Sequence, residues 1–331
     1  MLCAVIGAGA WGTALADLLA SVGLETRLWA LESDVAASVN GNHENKRFLA
    51  GLSLASGIRA TNDLCDALTN ASFVVFATPS QHMRHVARQS APFIVPNAIL
   101  VVASKGIERD SLALMTSVVG DEIPGRAVVG ISGPSFAAEV VARQPTAIVA
   151  ASADASAAQI VQATLRSPTF RVYTNDDVTG VELGGSLKNV MAVATGIVEG
   201  VGLGHNSRAA LITRGLHEMT RLGVALGAKA STFAGLAGVG DLVLTCTGAL
   251  SRNRALGIEI GKGATLAAAL EGKETVAEGV VTAQSARALA TRHRVDMPIV
   301  EMVNRILFEG RTARDAVPEL MARELRSEQD L

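Results

Sequence analysis

The chain has 331 residues, 49% of them apolar, 18% charged and 3% aromatic, a length and composition that allow two domains with a core each. Lysine plus arginine (29) and aspartate plus glutamate (31) nearly cancel to a formal net charge of -2. The basic excess of a nucleic-acid binder is therefore missing, and any anionic ligand must be met by local charge.

In chain order, Leu2–Ile6 is an apolar run that stops at Gly7 and has no basic region before it. It reads as a strand and not as a signal peptide. A helical pattern follows at Thr13–Ala20, then strand-like runs at Thr26–Trp29 and Phe73–Ala77, a helix over Gln81–Gln89, and further strands at Ile99–Ala103, Ala127–Ile131 and Ala147–Ala150. These runs are short and apolar on both faces, as in strands buried on both sides of a parallel sheet. Alternation of strand and helix predicts an α/β, doubly wound parallel sheet.

The rhythm fades after about Thr174, and Asn175-Asp176-Asp177 is the expected junction between a first domain, 1–177, and a second, 178–331. Helical patterns then follow at Val181–Glu199, Arg208–Leu226, Ala255–Gly261, Leu266–Leu270, Ala277–His293 and Ile299–Glu309, which predicts an all-helical second domain. Gly235 to Gly248 reads as a glycine-rich link between helices, a common place for function. No apolar run reaches the roughly 18 residues of a membrane helix. Cys3, Cys65 and Cys246 are too few and too scattered for a disulfide framework or a zinc site. A soluble cytoplasmic protein in a reducing compartment is expected, with no membrane span, no nucleic-acid partner and no metal.

Gly7-Ala8-Gly9-Ala10-Trp11-Gly12 fits G-x-G-x-x-G, follows the first strand and opens a helix. In that setting Gly7 permits a tight turn, Gly9 the close approach of a pyrophosphate, and Gly12 close packing of helix on strand. The helix N-terminus adds free N–H groups and partial positive charge. This is the dinucleotide pattern of a Rossmann domain; the plainer alternative is an ordinary glycine turn. Glu32 stands 20 residues after Gly12, where a carboxylate can accept from the adenosine ribose, or simply sit solvated at a helix start.

The chain also resembles the bacterial-type NAD(P)-dependent glycerol-3-phosphate dehydrogenases over nearly its whole length. The matching segments occur in family order: Gly-Ala-Gly-Ala-Trp-Gly-Thr-Ala at 7–14, Pro79-Ser80-Gln81, Ser104-Lys105-Gly106-Ile107, Ser132-Gly133-Pro134-Ser135-Phe136-Ala137, Gly184-Gly185-Ser186-Leu187-Lys188-Asn189-Val190, Ala210 to Leu216, Gly240-Asp241-Leu242 and Ser251-Arg252-Asn253-Arg254. The resemblance implies a Rossmann domain, a helical C-terminal domain, and a site in the cleft between them. It implies that Lys188 is the catalytic lysine. Lys105, Gly133, Ser135, Lys188, Asp241, Ser251, Arg252 and Asn253 match positions that bind the phosphorylated substrate. Ala10, Trp11, Lys105, Ala137, Arg252, Val276 and Glu278 match positions near the dinucleotide, and Phe48 stands where the family often has an aromatic contact. The implied reaction reduces dihydroxyacetone phosphate to sn-glycerol 3-phosphate with NAD or NADP. Two residues depart from the pattern: Leu31 replaces a frequent Arg or His that can meet a 2′-phosphate, and Ala50 replaces a frequent proline.

Residue chemistry agrees with that role. Ketone reduction needs a proton donor, and Lys188 lies in an otherwise apolar helical stretch, where burial and a second ammonium such as Lys105 would bring its pKa toward neutrality. The alternative is a lysine running along an amphipathic helix to solvent. Asp241 can orient Lys188, bind a substrate hydroxyl, or cap a helix. Ser251-Arg252-Asn253 offers a hydroxyl, a guanidinium fork and an amide suited to a phosphate dianion. Cys246 is a candidate nucleophile without an evident base, or a small buried thiol. Leu31 and Glu32 favour NAD; Arg27, Lys46 and Arg47 are nearby cations that can favour NADP, and the balance leans toward NAD. Rival readings are a related two-domain dehydrogenase acting on another small substrate and a dinucleotide sensor without turnover. A second copy of the chain is carried as a candidate partner.

Overall fold

The computed structural model describes residues 1–272, 277–322, 324 and 327. The chain divides into two compact units: Met1–Lys105 with Ala113–Val181, and Gly106–Leu112 with the described residues from Glu182 onward.

The first unit is built on one eight-stranded sheet. Its strands are β1 (Leu2–Ile6), β2 (Glu25–Trp29), β3 (Ile58–Thr61), β4 (Phe73–Phe76), β5 (Ile99–Val102), β6 (Val128–Ser132), β7 (Thr146–Ala151) and β8 (Phe170–Asn175), in the order β3-β2-β1-β4-β5-β6-β7-β8. Successive side chains of a strand point to opposite faces, and here each face has its own core. Phe73 and Val75 of β4 join one buried cluster with Val5, Leu15 and Leu28, while Val74 and Phe76 join the other with Ile6, Met83 and Leu100. That double burial is why β1, β4 and β5 carry no charged or hydroxyl side chains. β1 pairs in parallel with β2 and β4, Ile6 lying beside Trp29 and Phe76. Strand order therefore reverses at β1, and the carboxyl ends of the strands at such a point form the ligand crevice of an open α/β sheet.

Three features depart from the sequence expectation. β3 and β8 were not among the expected strands. Both lie at sheet edges and alternate buried with exposed residues, Arg59 in one and Arg171 and Tyr173 in the other facing solvent, so neither reads as a continuous apolar run. The sheet is also not wholly parallel: β7 runs antiparallel to β6, with Ile131 opposite Ala150, and β8 runs parallel to β7. An apolar run reads alike in either direction, so composition leaves strand polarity unmarked.

Among its described residues the second unit is helical. It comprises most of the helix Val178–Gly200, then His205–Ala225, Ala230–Phe233, a π-helical turn at Leu236–Gly240, Asp241–Thr247, Arg252–Gly261, Leu266–Leu270, Glu278–His293, Pro298–Phe308 and Ala313–Met321. Residues 181–198 are all buried, and the stretch is apolar except for Glu182, Ser186, Lys188, Asn189 and Thr195. The glycine-rich segment from Gly235 to Gly248 is mostly helical and not a loop. The stretch Ala230–Thr247 is 18 residues long with a mean hydropathy of 1.3, which is enough to cross a membrane by length and composition. It is divided among three short helical pieces and contains the fully buried Asp241.

Candidate active site

β1 ends at Ile6 and the chain turns at Gly7, whose φ of +114° disfavours any side chain. A Cβ on Gly12 would lie 1.9 Å from the Gly7 carbonyl oxygen, so helix and turn meet there only through glycine. Gly9 differs: no atom lies within 4 Å of the place its Cβ would take, and it precedes the helix Ala10–Ser21. An open glycine at the positive end of a helix is a cradle for the pyrophosphate of a dinucleotide. Ala10 is the first residue of that helix, and Trp11 beside it is half-buried with an indole N–H that has no hydrogen-bond partner among the described residues.

Leu31, just past β2, is 74% exposed. Glu32 immediately precedes the helix Ser33–Asn42 without capping it through its side chain. Phe48 packs partly on the first core, with the Arg47 guanidinium 5.4 Å from its ring centroid. Arg47 also lies 3.7 Å from Asp34, whereas Lys46 is exposed. Arg27 is committed elsewhere: it donates to the carbonyls of Asp66 at 2.6 Å and Thr69 at 3.0 Å, which removes it from the cations expected near the cofactor. Lys105 Nζ donates to the Gly133 carbonyl at 3.1 Å, and Ser135 Oγ donates to the same oxygen at 3.0 Å. These three residues are thus brought together, with Ala137 close by in sequence as the first residue of the helix Ala137–Val141.

In the second unit the helix Val178–Gly200 packs tightly on the π-helical turn. A Cβ on Gly184 would lie 2.4 Å from the Ala237 carbonyl oxygen, so the two backbones touch at that glycine. Four residues on, one helical turn later in each element, stand Lys188 and Asp241. Lys188 is 8% exposed and Asp241 fully buried, and the ammonium donates to the Asp241 carboxylate. Burying either charge alone would be costly, and the pair offsets that cost. Lys188 is therefore not a solvent-seeking lysine, and Asp241 turns its carboxylate to the ammonium; Gly240 takes the capping position instead. Thr245 donates to the Asp241 carbonyl at 2.6 Å and fixes the same turn.

Ser251 caps the helix Arg252–Gly261, its Oγ accepting from the Arg254 N–H at 3.2 Å. Asn253 is buried on the first turn; its Nδ2 donates to Asn189 Oδ1 at 3.0 Å and its Oδ1 accepts from the Gly279 N–H at 3.0 Å. Asn189 directly follows Lys188, so the lysine helix and the Ser251-Arg252-Asn253 turn are joined by a hydrogen bond. Arg252 is exposed by area, but nearby protein still desolvates it and lowers its guanidinium from the usual arginine range, with the Glu278 carboxylate opposing. Val276, the remaining expected cofactor residue, lies outside the described residues. Cys246 is fully buried, and burial pushes its thiol up to about 12, which suits packing and not nucleophilic chemistry.

The role of Asn189 was not anticipated. It is a neutral side chain whose partner Asn253 lies on another helix, and no local spacing signals that, although Asn189 falls inside a segment that carries the family resemblance.

The chain matches the NAD-dependent glycerol-3-phosphate dehydrogenase N-terminus over residues 3–158 and the C-terminus of the same family over 177–318. Glycerol-3-phosphate dehydrogenase [NAD(P)+] of Geobacter sulfurreducens is 54% identical over 327 residues, covering 98% of each chain. The protein of that name from Geobacter metallireducens is 55% identical over 328 residues, again covering 98% of each. Among solved structures, glycerol-3-phosphate dehydrogenase from Coxiella burnetii superposes with a TM-score of 0.94 at 41% identity, covering 97% of this chain and 99% of the other. With a two-part family match and relatives more than half identical along almost the full length, this chain belongs to the NAD-dependent glycerol-3-phosphate dehydrogenase family.

Proposed function

We propose that the chain is an NAD(P)-dependent glycerol-3-phosphate dehydrogenase of the cytoplasm. It reduces dihydroxyacetone phosphate to sn-glycerol 3-phosphate, a precursor of glycerophospholipids. The observation that carries this reading is the buried Lys188–Asp241 pair, a proton donor held in place within a family of matching chemistry. Residues 1–177 serve as the dinucleotide domain and 178–331 as the substrate domain. Gly7, Gly9, Ala10, Trp11 and Gly12 hold the dinucleotide, with Leu31, Glu32, Phe48 and Ala137 of the same unit; the family resemblance assigns Val276 and Glu278 to it as well. When bound, the reduced nicotinamide supplies the hydride.

The chain's own part is positioning and proton transfer. Lys188 donates a proton to the oxygen of the ketone as it becomes an alkoxide, and its neutral form takes the proton back in the oxidative direction. Asp241 holds the ammonium against rotation. Ser251, Arg252 and Asn253 take the substrate phosphate through a hydroxyl, a guanidinium and an amide. The family resemblance also assigns Lys105, Gly133 and Ser135 to the substrate, and Lys105 and Arg252 to the dinucleotide as well.

The test is loss of NADH absorbance on adding dihydroxyacetone phosphate to purified protein. Lys188→Ala should lower kcat by roughly 100- to 10,000-fold, the usual span for general acid–base catalysis, while the Kd for NADH stays near that of the native protein. No NADH oxidation by the native protein removes the proposed activity. A near-normal rate in the variant removes Lys188 from the chemistry.

A further inference from the structure

Asn45 is fully buried in the loop that also bears Arg47 and Phe48, and both polar atoms of its side chain are engaged. Its Nδ2 donates to the Ala8 carbonyl at 2.8 Å and lies 2.8 Å from Thr13 Oγ1, which itself donates to the Ala8 carbonyl at 3.2 Å. Its Oδ1 accepts from the Phe48 N–H at 3.1 Å, and its carbonyl accepts from the Leu49 N–H at 2.9 Å. Ala8 is the middle residue of Gly7-Ala8-Gly9, 37 residues away in sequence.

The geometry of one peptide bond gives this contact its consequence. In a planar trans peptide the C=O of one residue and the N–H of the next point in opposite directions. Holding the Ala8 carbonyl inward on Asn45 and Thr13 therefore aims the Gly9 N–H outward. Gly9 is the glycine with open space before it. The same amide that sets this peptide also ties down the Phe48 backbone.

We propose that Asn45 is a positioning residue for the dinucleotide. It fixes the Ala8–Gly9 peptide so that the Gly9 N–H faces the pyrophosphate, and it couples that peptide to the loop bearing Phe48. The inference rests on the glycine turn being the dinucleotide site. Thr13 is the second donor to the same carbonyl and supports the same orientation.

The test compares native protein with Asn45→Ala, Asn45→Asp and Thr13→Val. Asn45→Asp keeps an acceptor for the Phe48 N–H but places carboxylate oxygens against the Ala8 carbonyl. Thr13→Val is nearly isosteric and keeps the amide. Titration with NADH and with ADP-ribose should show Kd raised about tenfold for both ligands in the Asn45 variants, which corresponds to about 1.4 kcal/mol. Thr13→Val should shift Kd in the same direction by less. With NADH saturating, kcat and the KM for dihydroxyacetone phosphate should stay within about twofold of native. A purely structural role would lower the melting temperature of the variants but leave the Kd of the folded protein unchanged, and that result overturns the proposal. If the Asn45 variants do not fold, Thr13→Val decides alone: a native Kd for both ligands overturns it. Native protein that binds neither NADH nor ADP-ribose overturns the dinucleotide reading itself, a failure distinct from variants that bind as tightly as native.

Discussion

A lysine ammonium at a surface gains little from a neighbouring carboxylate, but Lys188 and Asp241 are both withdrawn from water. Removing one side chain takes away the opposite charge that faces the other in a buried setting, so the two act as a unit. The same burial logic separates the three thiols. Cys3 and Cys246 are buried, and burial pushes their thiols up to about 11 and about 12, opposed at Cys3 by the chain N-terminus and at Cys246 first by a Thr195 hydrogen bond. Cys65 is exposed. The thiolate is the reactive form, so iodoacetamide under native, mildly alkaline conditions should label Cys65 and leave the other two until the protein is unfolded. Peptide mass mapping checks this; early labelling of Cys246 would contradict its burial and reopen it as a nucleophile.

At the scale of elements, buried polar side chains hold neighbouring helices in register. Glu218, on the helix His205–Ala225, is 0% exposed and accepts from the N–H groups of Ile299 at 2.8 Å and Val300 at 3.3 Å, at the start of the helix Pro298–Phe308. Burial pushes its carboxyl up to about 7, against the backbone donors Ile299 and Val300 and the charges of Arg221 and Arg214. A folded value above the unfolded one, near 4.3, means the folded state holds this proton more tightly between the two. The resulting stability is complete below the unfolded value and is lost as pH rises through about 7. Glu218→Gln keeps a carbonyl acceptor but does not ionise. Urea denaturation from roughly pH 5 to roughly pH 8 should show a decline on the order of 2 kcal/mol in the native protein that the variant lacks. Equal pH slopes in the two proteins would show that Glu218 stays ionised throughout.

We propose that the end of β2 governs cofactor choice. Exposed Leu31 cannot donate to a 2′-phosphate and Glu32 repels one, while Arg47 stands near Asp34 and over Phe48. Both cofactors should work in the native protein, with NADH favoured. Leu31→Arg should raise the NADPH to NADH ratio of kcat/KM by about tenfold or more, since a hydrogen bond to a charged group contributes about 1.5–3 kcal/mol. If native kcat/KM is well above par for NADPH, the lean is wrong and Arg47 becomes the cation to substitute.

In the whole molecule, what was legible in sequence is what depends on neighbours in the chain. Six of the eight strands announced themselves because central strands are apolar on both faces, and β3 and β8 did not because edge strands alternate. The main helices of the second unit were visible through their period, but the short pieces around the π-helical turn looked like a loop because glycine is rarely placed in a helix without a packing reason. At Gly184 and Gly238 that reason is contact with the backbones of Ala237 and Phe233, which only the folded unit supplies.

By itself the sequence determined the glycine turn after β1, the alternation that builds the sheet, the helical second half and the ordered segments that carry the family, since each is written in contiguous residues. Tertiary structure alone decided the antiparallel course of β7, the meeting of Lys188 with Asp241 across 53 residues, and the hold of Asn45 on Ala8 across 37. The reason is physical: a buried polar group takes whichever partner packing brings within reach, and that partner is set by the path of the whole chain and not by the residues beside it.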